Sequence, residues 1–176
     1  MNRLFVLNDM GFKISWKLVE IGLFGYGEIP PQITHLDTVE YIESLLTEKN
    51  KQIDDAITIY CEKDDFTEFD RVLKELARND NSDIVIQKFK WRAYLLDTLI
   101  TNICNKDCMQ GQLELMEFWT QMGTPSNCPQ PFPHSRQSLQ DYFTKDFFES
   151  CIRANQKWLT DEISRIIDTE SIDSSH

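Results

Sequence analysis

In the stretch "QKFKWRAYLLDTLI", residues 87–100, a guanidinium stands where a hydrocarbon is expected. Val85, Phe89, Arg92, Leu96, Leu99 and Ile103 follow one another at three- and four-residue steps. A helix over 82–104 therefore carries Arg92 on its apolar stripe, with Trp91 and Leu95 widening one side. An arginine buried without a partner costs several kcal/mol, so it must meet a carboxylate or several carbonyls. Two chemistries satisfy that need. Arg92 is either pinned structurally to an acidic residue of a neighbouring helix, with Trp91 packed along its stem, or it binds an anion in a cleft. The structural pairing is preferred, because it meets the burial rule without a ligand. Lys88 and Lys90 fall away from the stripe's centre and read as solvated edge residues.

A second constellation is "EKDDFTEFD", 62–70, with Glu62, Asp64, Asp65, Glu68 and Asp70. Between 37 and 83 there are 14 acidic and 6 basic residues, a net of −8, so most of the chain's negative charge is concentrated here. Residues 1–36 balance at 3 and 3, and residues 84–176 hold 12 acidic against 9 basic. Carboxylates at a helix start complement its dipole and need no other purpose. Clustered as they are, these five are also the candidate contact residues for a basic protein partner. They do not form a calcium loop, because "DDFTEFD" lacks the glycine and the alternating ligands.

The remaining reactive groups are His35, His134, His176 and cysteines 61, 104, 108, 128 and 151. A zinc site from Cys104, Cys108, Cys128 and His134 matches no regular zinc spacing; buried thiols acting as small hydrophobes explain the cysteines better. No G-x-S-x-G, H-E-x-x-H, phosphate-binding loop or G-x-G-x-x-G is present. No catalytic residue, metal ligand or cofactor is assigned, and a non-enzymatic protein is expected.

The elements that hold these residues read as helices. Residues 1–7 form a short strand or an extended arm. Ile14 to Ile21 make a helix stopped by Gly22, Gly25 and Gly27 and by Pro30-Pro31. Asp37 to Glu40 and Asp65 to Glu68 read as capping boxes, each opening a helix. Between them Ile53, Ala56, Ile57 and Tyr60 make a stripe, and Phe69, Val72, Leu73 and Leu76 continue the next helix. Ser82 caps the Arg92 helix. Leu113, Met116 and Trp119 or Thr120 make a further stripe, ended by Gly123. Residues 124–137 hold four of the six prolines and read as an extended strap. Ser138 to Asp141 resembles a capping box, and Phe147, Cys151, Ala154, Trp158, Ile163, Ile166 and Ile167 line the last helix. The expected fold is all-α, about six to seven antiparallel helices in one domain over 1–168, with a polar, frayed tail over 169–176.

A net charge of −11 and a pI near 4.7 disfavour nucleic acid and anionic membranes as partners. "MNRLFVLNDMGF" does not read as a secretory leader, and no run of ~18 apolar residues occurs. A cytoplasmic protein with reduced thiols is expected.

"ISWKLVEIGL" leading to a double proline, then "KFKWRAYLLDTLI", then "LELMEFWTQMGTPSNCPQPFP" with Trp119, Gly123 and Pro125, resembles a bacterial family of small acidic helical proteins whose domain has no assigned function. In type that family is similar to the immunity proteins encoded beside polymorphic toxins. The resemblance implies a helical domain and neutralisation of a toxin by tight binding, and supplies no catalytic residues. The leading expectation is thus a binding module whose acidic helical face docks a basic toxin domain such as a nuclease. The alternatives are a small helical enzyme or ligand-binding domain with a cleft near Arg92, and a housekeeping scaffold.

Overall fold

Eight α-helices make up the regular structure of residues 2–47, 53–129 and 142–173, the residues described by the computed structural model. They are α1 (Arg3–Asp9), α2 (Trp16–Phe24), α3 (His35–Thr47), α4 (Ile53–Tyr60), α5 (Phe66–Asn79), α6 (Ile84–Ile103), α7 (Cys108–Gln121) and α8 (Lys145–Asp173). The fold is all-α. Apart from an isolated bridge between Tyr26 and Ile29, the described residues contain no β-structure. The chain divides into two compact units, residues 1–91 and 92–176, with the boundary inside α6.

In the first unit α2 packs on α5 and α3, α4 on α3 and α5, and α1 on α3. The N-terminal segment is a helix rather than a strand or an arm. Asn2 caps it by accepting from the Leu4 N–H, and Leu4 and Leu7 bury one face. The short apolar run fits either period, and the cap decides for the helix. Helix α3 begins one turn earlier than "DTVE" implied. Thr34 and Asp37 form the reciprocal box: the Asp37 carboxylate accepts from the Thr34 N–H at 2.8 Å, and Thr34 Oγ1 accepts from the Asp37 N–H at 3.2 Å. In α4 the buried pair is Ala56 and Ile59, while Ile57 faces solvent.

Asp65 does cap α5, accepting from the Thr67 and Glu68 N–H groups at 3.0 and 3.2 Å. Asp65→Ala should therefore cost about 1 kcal/mol, read as a lower midpoint in urea denaturation. Helix α6 is capped by Asp83, which accepts from the Val85 N–H, rather than by Ser82, whose hydroxyl meets that of Ser15.

Trp91 anchors the first unit. Its ring is fully buried, and its Nε1–H donates to the Leu18 carbonyl at 2.9 Å. Gly22 lets α2 approach that ring: a Cβ there would lie 2.4 Å from Trp91 Cζ2. Gly22→Ala should destabilise by about 1–3 kcal/mol through overpacking, despite alanine's better helix propensity. Thermal or urea denaturation of the variant checks this.

Lys90 is also fully buried, contrary to its reading as a solvated edge residue. Its ammonium donates to the Lys13 carbonyl at 2.6 Å and to Gln87 Oε1 at 3.0 Å. These acceptors replace the water it loses. Lys88 keeps some exposure and pairs with Glu28 at 2.7 Å.

In the second unit α7 packs on α8. The buried face of α7 is Gly111, Gln112, Leu115, Phe118 and Trp119, one position away from the expected stripe, and Leu113 is exposed. On α8 the buried side chains are Phe148, Cys151, Asn155, Trp158, Leu159, Glu162 and Ile166, while Ala154 is exposed. Trp119 is the hub: it meets Phe118 and Trp158 edge-to-face, and its Nε1–H donates to Asn155 Oδ1 at 2.8 Å. Helix α7 ends as expected at Gly123, with φ of 75°. Residues 124–129 are non-helical, with the Cys128 N–H donating to the Pro125 carbonyl. The rest of the strap, His134 and the Ser138–Asp141 box lie outside the described residues. Helix α8 continues through Asp173, into the segment expected to fray.

Candidate functional site

The acidic segment 62–70 comprises the turn after α4 and the first residues of α5, and its five carboxylates are not equivalent. Asp65 is engaged as the α5 cap. Glu68 accepts from Arg71, which also reaches Glu75 at 3.1 Å, and the Arg71 hydrogen bond holds the Glu68 carboxyl below its ordinary range. The Asp70 carboxylate accepts from His35 Nε2 at 2.7 Å. The carboxylates of Glu62 and Asp64 make no hydrogen bond or ion pair among the described residues. Asp64 is exposed, and Glu62 is half-buried.

Within this acidic frame lies Phe66, 60% exposed on the first turn of α5. It does not swing freely. The His35 ring stacks on it with centroids 4.5 Å apart, and the far edge of that imidazole meets the buried Phe69 at 5.5 Å. Asp70 fixes the imidazole from its other side. Leu36, the residue after His35, is 70% exposed. The structure therefore joins His35, Phe66, Phe69 and Asp70 into one stack running from the core to the surface. His35, Leu36 and Phe66 were not legible as site residues, because some 30 positions separate α3's start from α5's, and nothing in local spacing links them.

Behind the turn, Tyr60 donates to Glu43 Oε1 at 3.0 Å, and the Lys63 ammonium donates to the Tyr60 oxygen at 2.7 Å. Lys63 lies over the Tyr60 ring, and that bond to Tyr60, with the charges of Asp64 and Glu43, helps hold its ammonium protonated.

Arg92 has a partner on another helix, as its stripe position required. Its Nη2 donates to Glu162 Oε1 at 2.8 Å, with the two side chains only 8% and 4% exposed. Arg165 binds the same carboxylate at 2.9 and 3.1 Å. Burial alone would push the Glu162 carboxyl up, but the bonds from Arg165 and Arg92 outweigh it and hold the group below its ordinary value. The Arg92 guanidinium also lies over the Trp158 ring, at 5.1 Å from its centroid. The three side chains form a buried ion triad, and Arg92 does not line the cavity that opens between Cys104–Cys108 and Lys145–Arg153.

All five cysteines are free. Only Cys151 is the buried small hydrophobe expected of the set, with burial raising its thiol pKa; Cys61 and Cys104 are exposed. No three His, Cys, Asp or Glu side chains gather around a metal position among the described residues. No described helix is long and apolar enough to cross a membrane.

The family model for an uncharacterised protein conserved in bacteria, DUF2247, matches residues 5–163. The chain belongs to the DUF2247 family. The match covers both units and includes the α2, α6 and α7 segments on which the resemblance rests. No curated protein and no solved structure matches the chain.

Proposed function

We propose that the chain is a non-enzymatic protein-binding module of the bacterial cytoplasm, docking a basic partner through the acidic surface at the start of α5. Neutralisation of a basic toxin domain, such as a nuclease, is the role this surface fits best. The observation that carries the reading is Phe66: a largely exposed aromatic, stacked on His35, in an acidic segment where Glu62 and Asp64 make no ion pair among the described residues.

A rigid aromatic loses little conformational freedom on binding, which is why such side chains dominate interface energetics. The negative surface around it supplies long-range attraction to a cationic patch, speeding encounter and orienting the partner. A nuclease active site carries that kind of patch, since it binds phosphates. Five free thiols support a reducing compartment.

The test is calorimetry against the purified product of the gene adjoining this one, with wild type and two variants. Phe66→Ala is expected to raise Kd by about ten-fold or more, equivalent to about 1.4 kcal/mol. The double reversal Glu62→Lys/Asp64→Lys is expected to raise Kd and flatten its salt dependence. Both substitutions sit outside the core, so the fold should be retained. Tight binding unchanged by either variant would contradict this docking surface.

A further inference from the structure

The second unit contains a cavity of about 470 Å³, within the range of small-molecule sites. One wall is the α6–α7 turn, including Cys104 and Cys108; the other is the start of α8. Its lining is mostly apolar, with Phe148 and Ile152 as the larger hydrocarbon groups. They lie four residues apart on α8, so both face the same space.

The charges on the α8 wall form a second row. Lys145, Glu149 and Arg153 follow at four-residue steps, and all three line the cavity. Glu149 lies between the two cations but bonds tightly to neither: its oxygens are 3.8 Å from Lys145 Nζ and 3.7 Å from Arg153 Nη1. Two cations thus share one carboxylate, leaving one positive charge in excess on a chain that is otherwise strongly acidic. Lys106, on the opposite wall, is engaged by both oxygens of Glu114. Asp107 caps α7, accepting from the Met109 and Gln110 N–H groups, and so puts a negative charge beside the same cavity.

From this arrangement we infer that the cavity binds an amphipathic monoanion, an apolar monocarboxylate. The apolar body lies against Phe148 and Ile152, and the carboxylate meets Lys145 and Arg153 from the cavity side, since Glu149 itself occupies the place between them. A single negative charge completes the row. A dianion would carry its second charge toward Asp107 and Glu149, so a phosphate monoester is disfavoured. This site is independent of the acidic face on the first unit and does not rest on the toxin-neutralising role.

The test uses the full chain and three probes of one length, decanoate, decanol and decyl phosphate, each below its micelle concentration. Isothermal titration and backbone amide shifts should show saturable one-to-one binding of decanoate, with shifts centred on Phe148 and Ile152. Decanol and decyl phosphate should each bind up to about five-fold more weakly. The double variant Lys145→Glu/Arg153→Glu alters two exposed side chains, 83% and 66% accessible, so it should fold normally and lose decanoate binding by a similar factor. Gly111→Ala is a second probe with charges intact. Its Cβ would lie 2.4 Å from Phe148 Cζ, so the ring must shift, changing decanoate affinity without changing the preference for a charged head. No saturable binding, decanol equal to decanoate, a preference for decyl phosphate, or indifference to the charge reversal would each overturn the inference.

Discussion

Replacing Glu162 by alanine should destabilise the chain by about 3–5 kcal/mol, the cost of removing one partner from a buried ion pair. The carboxylate is 4% exposed and holds two guanidinium groups, of which Arg92 is itself only 8% exposed. Without it Arg92 loses the carboxylate that its Nη2 meets at 2.8 Å and keeps its charge inside the second unit, against the Trp158 ring. The double variant Arg92→Met/Glu162→Leu should recover much of the loss, because removing both charges also removes the desolvation cost. Urea denaturation of the full chain, followed by tryptophan fluorescence, reads both. The same triad predicts a pH dependence. The folded Glu162 carboxyl titrates below its ordinary value near 4.5, so its contribution is fully present above that value. It is lost as pH falls from there through the lower, folded value. Glu162→Gln should therefore be less stable at neutral pH and show a shallower loss of stability in that acid window.

Trp119→Ala should cost a similar amount, about 3–5 kcal/mol, for a different reason. The indole is fully buried between Phe118 and Trp158, so truncation leaves a void between α7 and α8. It also strips Asn155 Oδ1 of its donor in a residue only 1% exposed, adding the penalty of an unsatisfied buried polar atom. Trp119→Phe should cost less, since much of the volume remains while the Asn155 bond is lost. The difference between the two variants in one denaturation series separates the void from the hydrogen bond. A Trp119→Ala midpoint near wild type would mean that α7 and α8 are not held together by this residue.

The all-α class was legible because helical periodicity and caps are local. Asp65 and Gly123 begin and end helices where the sequence places them, whereas α2 runs through Gly22 to Phe24 and is ended by Gly25. The α3 start was displaced because two overlapping boxes compete, "THLD" and "DTVE", and Asp37 belongs to both. Thr34 takes the cap, and Asp37 serves as the reciprocal acceptor one turn in. The N-terminal seven residues were ambiguous for a related reason: a short apolar run fits either period, and the deciding Asn2 cap also ties α1 to α3 by donating to the Asp37 carbonyl.

Long-range chemistry was legible only as a requirement. The position of Arg92 demanded a carboxylate, but nothing local identifies Glu162, 70 residues away. Lys90 shows the reverse failure. A lysine off the stripe's centre reads as solvated, yet the Lys13 carbonyl, 77 residues away, lets it be buried. At the candidate site the five carboxylates were visible in the sequence, but their division of labour was not. Three serve the fold through the α5 cap, Arg71 and His35. Phe66, the residue that gives the surface a rigid centre, becomes visible only once α3 brings His35 against it.

Backbone hydrogen exchange of the chain, free and bound to a basic partner, tests the central claim most directly. Docking through the acidic face predicts new protection over the α4–α5 turn and the first turns of α3 and α5, around Glu62, Asp64, Phe66 and His35, with the second unit unchanged. Protection confined to α7 and α8, with the 62–70 segment exchanging as in the free chain, would contradict it.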